Sequence, residues 1–279
     1  MAIHVLPPDV VDQIAAGEVV ERPAHMVKEL IENSLDAGAR RIEVDFSLGG
    51  RAVQVRDDGS GIDSEDLAKA LDRFATSKIR SADDLWRLKS FGFRGEALAS
   101  ISAVSELTMI SRPPGAERAA RVKSTFGRRG AVESVGGDPG TTVVVENLFE
   151  NVPARLKFLK SSAAEHTQIK NTLKALALSH PQVEFRVREE GKLIFAYSPG
   201  ARLQRCEQVL EVKPLYEGSA ECDGVKATVI FAAPDQVARS AKNIWIFVQN
   251  RWVQDRGLQT AVFEAYRGLL MHGEYPYVC

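Results

Sequence analysis

The sequence predicts an α+β protein: a two-layer α/β sandwich with helices over one face of a mixed, mainly antiparallel sheet, then an incomplete second α/β domain with a crossover helix. Three observations carry that expectation. Helical spacing and strand-like alternation come in segregated runs rather than one for one. Residues 23–38 place Val27, Leu30, Ile31 and Ser34 on one side of a helix. Ile42, Val44 and Phe46, then Val53 and Val55, alternate about Gly49-Gly50, as in a hairpin with one buried face.

The 279 residues suffice for two domains, expected at 1–200 and 201–279 with a break at Pro199-Gly200. A hydrophobic content of 44% allows an ordinary core. Lys and Arg number 36 against 37 Asp and Glu, so nucleic-acid binding has to come from a local basic groove. Three scattered cysteines show neither metal spacing nor a disulfide framework, which fits a reducing compartment. The sequence has no signal peptide and no long apolar run, so a cytoplasmic protein away from membranes is expected.

Pro23 suits the start of the first strongly patterned helix and Gly38 its end. Opposite its apolar side lie Glu29, Glu32, Asn33 and Asp36, with no base between Glu29 and Asp36. Such an acidic strip can bind a cation, hold a carboxylate beside a water, or simply face solvent. The second strand of the hairpin runs into Asp57-Asp58-Gly59-Ser60-Gly61-Ile62. A carboxylate at a strand end followed by two spaced glycines allows close approach to a flat ligand, and aspartate accepts from an exocyclic amine. A plain Asp-Gly turn is the alternative.

Next come Ala75-Thr76-Ser77-Lys78-Ile79 and Gly92-Phe93-Arg94-Gly95-Glu96-Ala97-Leu98, a glycine-bearing loop opening a helix over 96–105. That arrangement offers backbone N–H groups to phosphate, although no Walker A string occurs. A mobile surface connection over 75–92 is the other reading. Strands are expected near 107–111, 119–126, 131–135 and 141–149, the last opening with Thr141-Thr142, whose hydroxyls suit support of Asp57. Helices follow near 154–160 and 163–179, and a hairpin turns at Glu190-Gly191. Beyond 200 come a helix at 201–210, strands near 225–233 and 243–249, a helix at 255–270 and the start of another strand.

Taken in order, these blocks resemble the superfamily of gyrase, heat-shock ATPase chaperones, sensor histidine kinases and MutL. Within it the chain is similar to the bacterial MutL family, through IAAGEVVERP (14–23), ENSLDAGA (32–39), ATSKI (75–79), GFRGEAL (92–98) and NVPAR (151–155). The match runs from the N-terminus to about residue 270. The resemblance implies an ATPase with ATP and Mg²⁺ as cofactors. Glu29 is then the general base, Asn33 the magnesium ligand and Asp57 the acceptor for the adenine amine. Ala37, Gly61 and Ile62 line the nucleotide. Thr76, Ser77, Lys78, Gly92, Phe93, Arg94, Gly95, Glu96, Ala97 and Leu98 belong to a lid over about 75–95 and its following helix, and Thr141 or Thr142 stands beside Asp57. Asp58 replaces an expected asparagine and is expected to point away from the base.

The implied role is a slowly hydrolysing switch of DNA mismatch repair. It dimerises on ATP, with residues 1–20 packing on a second subunit, and links a MutS-type mismatch sensor to a downstream nuclease or helicase. Arg155, Arg251 and Arg256 are candidate DNA contacts, weak and independent of sequence. The chain stops before the lysine that reaches the γ-phosphate in the family. This implies slow turnover, or a binding module without useful turnover, and a strand at Tyr275–Val278 left as an open edge. A topoisomerase-type ATPase subunit is the remaining alternative.

Overall fold

The computed structural model describes residues 4, 5, 7–78, 92 and 95–279. The chain forms two compact units, Met1–Thr172 with Phe185–Ala196, and Leu173–Glu184 with Tyr197–Cys279.

The first unit begins with two helices headed by proline, α1 (Pro8–Val19) and α2 (Pro23–Asp36). Proline at a first helical position gives up an N–H that has no partner there in any case. A hairpin follows, β1 (Arg41–Ser47) and β2 (Ala52–Asp57), then the short helices α3 (Ser64–Leu67) and α4 (Ala97–Ala103). Strands β3 (Glu106–Arg112), β4 (Ala119–Thr125), β5 (Arg128–Arg129), β6 (Glu133–Val135) and β7 (Gly140–Glu146) lead to helices α5 (Pro153–Phe158) and α6 (Ser162–Ser179). The hairpin of β8 (Glu184–Glu189) and β9 (Lys192–Tyr197) turns at Glu190-Gly191, both with positive φ.

These strands make one mixed sheet in the order β5-β4-β3-β7-β2-β1-β8-β9, with β6 on β4. The pairings β1–β2, β2–β7, β7–β3 and β3–β4 are antiparallel, and their registers align side chains in rows across the inward face. One row is Phe46, Val53, Val145 and Leu107, and the next is Val44, Val55, Val143, Met109 and Val122. All are buried. Each such side chain contributes about 1.5–3 kcal/mol of burial free energy. Val27, Leu30 and Ile31 of α2 are buried as well, as their spacing predicts. The outward face of the same strands is half-buried or exposed, so one layer of helices suffices to cover this sheet.

The second unit holds α7 (Arg202–Leu210) and the hairpin β10 (Leu215–Cys222)–β11 (Val225–Ala232), which turns at Asp223-Gly224 with φ of 51° and 74.9° rounded to 75°. The sequence reading missed β10, although Asp-Gly is the standard residue pair for a two-residue hairpin loop. Then come β12 (Val237–Ala238), the hairpin of β13 (Ile246–Val248) and β14 (Arg251–Val253), α8 (Arg256–Ala265) and β15 (Tyr275–Pro276). The side chain of Asp255 caps α8 by accepting from Leu258 N at 2.8 Å. The helix ends at Ala265 rather than near 270.

The expectation of an open edge at Tyr275–Val278 is overturned. β15 pairs with β12, and Val278 bridges Phe231 on one side and Ile244 on the other. The bridge to Ile244 is parallel, so the path through α8 is a crossover connection, and Val278 is buried.

Arg205 of α7 is fully buried. Its guanidinium donates to the carbonyls of Ala177, His180, Pro181, Val183 and Ser198, at 2.6–3.2 Å. It also lies over the Tyr197 ring, 5.7 Å from the centroid. Burial pulls its pKa down to about 10.

Candidate nucleotide site

A third row crosses the inward face of the sheet at the C-terminal end of β2: Ile42, Asp57, Thr141, Ser111 and Ala120. Here three neighbouring strands exchange an apolar side chain for a polar one. Asp57 is 8% exposed and Ser111 1%. Burying a polar group is costly unless it is hydrogen-bonded, and each of these is. Asp57 Oδ2 accepts from Ser34 Oγ of α2 at 2.7 Å, while Oδ1 accepts from Gly59 N at 2.9 Å and Thr141 N at 3.3 Å. A carboxylate offers about four lone-pair positions. Three are used, and the remaining one, on Oδ2, can take one further donor. Burial pushes the Asp57 carboxyl above its usual range, and the bonds from Ser34, Gly59 and Thr141 pull against it.

The glycines of the DGSGI turn are required by contact. A Cβ on Gly59 would lie 2.8 Å from Ala37 Cβ, and one on Gly61, at φ 67°, would lie 2.6 Å from Arg112 O. Ser60 N donates to Ala37 O at 2.9 Å and Ile62 N to Ser111 Oγ at 2.8 Å, so the turn is fixed to both α2 and β3. Asp58 points the other way and accepts from Arg40 N and Arg41 N at 2.7 and 2.8 Å, as expected of a residue turned from the base. Of the two threonines, Thr141 is the cross-strand partner of Asp57; Thr142 pairs with Arg56 on the opposite face.

The other end of the site lies along α2. Glu29, Asn33 and Asp36 follow one helical face. Burial, then the neighbouring Glu32, raises the Glu29 pKa, while Lys28 and Lys78 pull it down. Glu32 is itself held by Lys28 at 2.9 Å. Lys78 Nζ donates to Asn33 Oδ1 at 3.0 Å and to the Asp36 carboxylate. Gly92 N reaches the same Asp36 oxygen at 3.4 Å. Thr76 Oγ1 accepts from Lys78 N at 3.1 Å, with Ser77 exposed between them. Gly95 packs against the Ala75 backbone, Glu96 precedes α4, and Ala97 and Leu98 are its first residues. Phe93 and Arg94 lie outside the described residues.

Of the candidate DNA contacts, Arg251 and Arg256 are exposed in the second unit. Arg155 is instead turned inward. It donates to Gln13 O of α1 at 3.0 Å, its guanidinium lies 5.5 Å from the Phe149 ring centroid, and burial lowers its pKa. That environment gives Arg155 a packing role in place of the solvent-facing position a DNA contact needs.

Sequence reasoning missed two site residues. Ser34 was read only as part of the apolar side of α2, and Ser111 was not singled out. The available signal for Ser111 was the inward stripe Leu107, Met109, Ser111, in which a hydroxyl takes the third apolar place.

A helix carrying an acid and an amide, set over a strand that ends in a buried aspartate, defines the histidine kinase-, DNA gyrase B- and HSP90-like ATPase class. A family model of that description matches residues 21–135, and a model for the C-terminal domain of DNA mismatch repair proteins matches 208–279. The chain is 41% identical over 280 residues to the DNA mismatch repair protein MutL of Geobacter sulfurreducens, covering 99% of this chain and 46% of that protein. It is 44% identical over 288 residues to MutL of Xanthomonas campestris, covering 99% and 45%. The chain thus spans about half the length of the curated relatives it matches. The Aquifex aeolicus MutL ATPase domain superposes with a TM-score of 0.73 at 30% identity, covering 88% of each chain. The chain belongs to the MutL family of DNA mismatch repair proteins.

Proposed function

We propose that this chain binds and slowly hydrolyses ATP with Mg²⁺, as the nucleotide-driven switch of a mismatch-repair protein. The observation that carries the reading is Asp57, a buried carboxylate with one acceptor position left, beside a helix that presents Glu29 and Asn33. The solved Aquifex aeolicus relative is a complex with ADP, which supports a nucleotide in the corresponding place.

Asp57 takes the exocyclic amine of adenine, with Thr141, Gly61, Ile62 and Ala37 around the base. Among the described residues no three His, Cys, Asp or Glu side chains gather as a metal site. Asn33 Oδ1 and Asp36 do converge on a cation, the Lys78 ammonium. Such oxygen donors fit a small hard ion that keeps several waters, so Asn33 would hold magnesium with the phosphates. Bound magnesium neutralises phosphate charge. Glu29, its pKa raised by burial, takes the proton of the attacking water. Thr76, Ser77, Lys78, Gly92, Gly95, Glu96, Ala97 and Leu98 face the phosphates.

ATP-dependent dimerisation then couples a MutS-type sensor to a downstream nuclease or helicase. Arg251 and Arg256 contribute weak DNA binding that falls steeply with salt. Titration with labelled ATP, with and without magnesium, tests the reading. The parent chain should bind more tightly with magnesium, and Asn33→Ala should lose that difference. Magnesium-independent binding by the parent would overturn the assignment.

A further inference from the structure

Ser111 reaches past its own strand. Its oxygen meets Ile62 N at 2.8 Å, Gly140 O at 3.1 Å and Thr141 Oγ1 at 2.9 Å. A hydroxyl has one proton and two lone pairs, and the Ile62 N–H occupies one lone pair. If the proton of Ser111 goes to Gly140 O, Thr141 donates to Ser111 and presents only lone pairs to the site. If it goes to Thr141 Oγ1, Thr141 keeps its own proton free to donate. The two arrangements use the same heavy-atom positions and differ only in the polarity of the Thr141 hydroxyl.

We infer that Ser111 is a positioning residue that sets purine specificity, by fixing the direction in which the Thr141 hydroxyl donates beside Asp57. The inference rests on the pocket being a nucleoside site. An ionised Asp57 demands a donor on the base, which a 6-amino purine provides. The ring nitrogen next to a 6-amino group is an acceptor and demands a donor in turn, which Thr141 supplies when Ser111 donates to it. A 6-oxo purine reverses both positions: its oxygen faces the carboxylate and its ring N–H asks for an acceptor. A site whose polar groups are fixed in one sense rejects the reversed pattern, because buried groups are left unpaired. Without Ser111, Thr141 turns freely and Ile62 N loses its acceptor.

The test is competition binding of ATP and inosine triphosphate to the full chain, for the parent, Ser111→Ala, Ser111→Thr and Asp57→Asn, with melting recorded for each. Ser111→Ala should weaken ATP by about three- to tenfold, the scale of one neutral hydrogen bond, and leave inosine triphosphate unchanged. The preference for ATP then narrows by that factor. Ser111→Thr, which keeps the hydroxyl, should restore the preference. An equal loss for both nucleotides in Ser111→Ala would show a merely structural role and overturn the inference. So would an unchanged preference in Ser111→Ala while Asp57→Asn narrows it, an outcome that leaves the nucleoside site standing. A parent chain that binds neither nucleotide would overturn both the site and the inference.

Discussion

The two ends of the site are built on different terms. At the base end, Asp57 is held by a backbone N–H of its own turn, a backbone N–H of β7 and a hydroxyl of α2. No long side chain takes part, and every support is a short group on a helix, a strand or a tight turn. At the phosphate end, Asn33 and Asp36 share the ammonium of Lys78, whose side chain has many rotamers and is 21% exposed. The base end has little conformational entropy left to lose when a ligand arrives. The phosphate end has to exchange one set of partners for another, and ordering long side chains carries a cost. A site of this kind recognises its nucleoside with a fixed surface and answers its phosphates with an adjustable one.

Substitutions can break that contrast, beginning with the largest effect. Glu29→Ala should lower turnover by roughly a hundred- to ten-thousandfold, the usual contribution of a positioned base, with Mg-ATP binding retained. Single-turnover kinetics separates the two, and loss of binding equal to the loss of rate would remove Glu29 from the chemistry. Asp57→Asn should weaken adenosine and ATP by the same factor, about ten- to a hundredfold, because a charged acceptor is lost at the base end. A larger loss for ATP than for adenosine would mean that Asp57 also governs the phosphates. Lys78→Ala should act the opposite way, with adenosine unaffected and ATP weakened by only about fivefold. A full charge-assisted contact is stronger than that, but binding also releases Lys78 from Asn33 and Asp36. Equal effects on both ligands would erase the proposed division.

The smallest effect is on stability. Burial raises the Glu29 pKa, so the folded chain holds that proton more tightly than the unfolded chain. Ionised Glu29 therefore costs stability above the raised pKa, and the cost vanishes once pH falls below the ordinary value of 4.5. Glu29→Gln should melt higher than the parent at neutral pH by roughly one to three degrees, with the gap closing on acidification. A gap that widens toward acid pH would reverse the sign of the shift.

Much of this was legible in the sequence where one residue's neighbours in the chain are also its neighbours in space. The face of α2 follows from a 3.6-residue period, and the DGSGI turn from two glycines whose Cβ atoms would collide with Ala37 and Arg112. What stayed hidden depends on register between distant strands. Thr141 and Thr142 are equivalent along the chain; pairing with Asp57 chooses between them. Ser111 becomes part of the site only because β3 sits next to β7. Arg155 looked like a surface cation in a basic stretch, and only the position of α1 shows that its guanidinium is spent on Gln13 O. The hairpin edge β10 was missed although its Asp-Gly turn was in plain view, because Gly218 and three charged or polar neighbours weaken its alternation.

Arg205 has a consequence for how this chain can be divided. The five carbonyls that share its guanidinium come from residues 177–198, all earlier in the chain than the arginine itself. A polypeptide cut at residue 200, or one emerging from the ribosome with only its first two hundred residues free, holds those acceptors but not their donor. The segment from Ala177 to Ser198 would settle only after α7 had been made. A clean severing of this protein therefore falls after α7, however inviting the Pro199-Gly200 dipeptide looks as a joint.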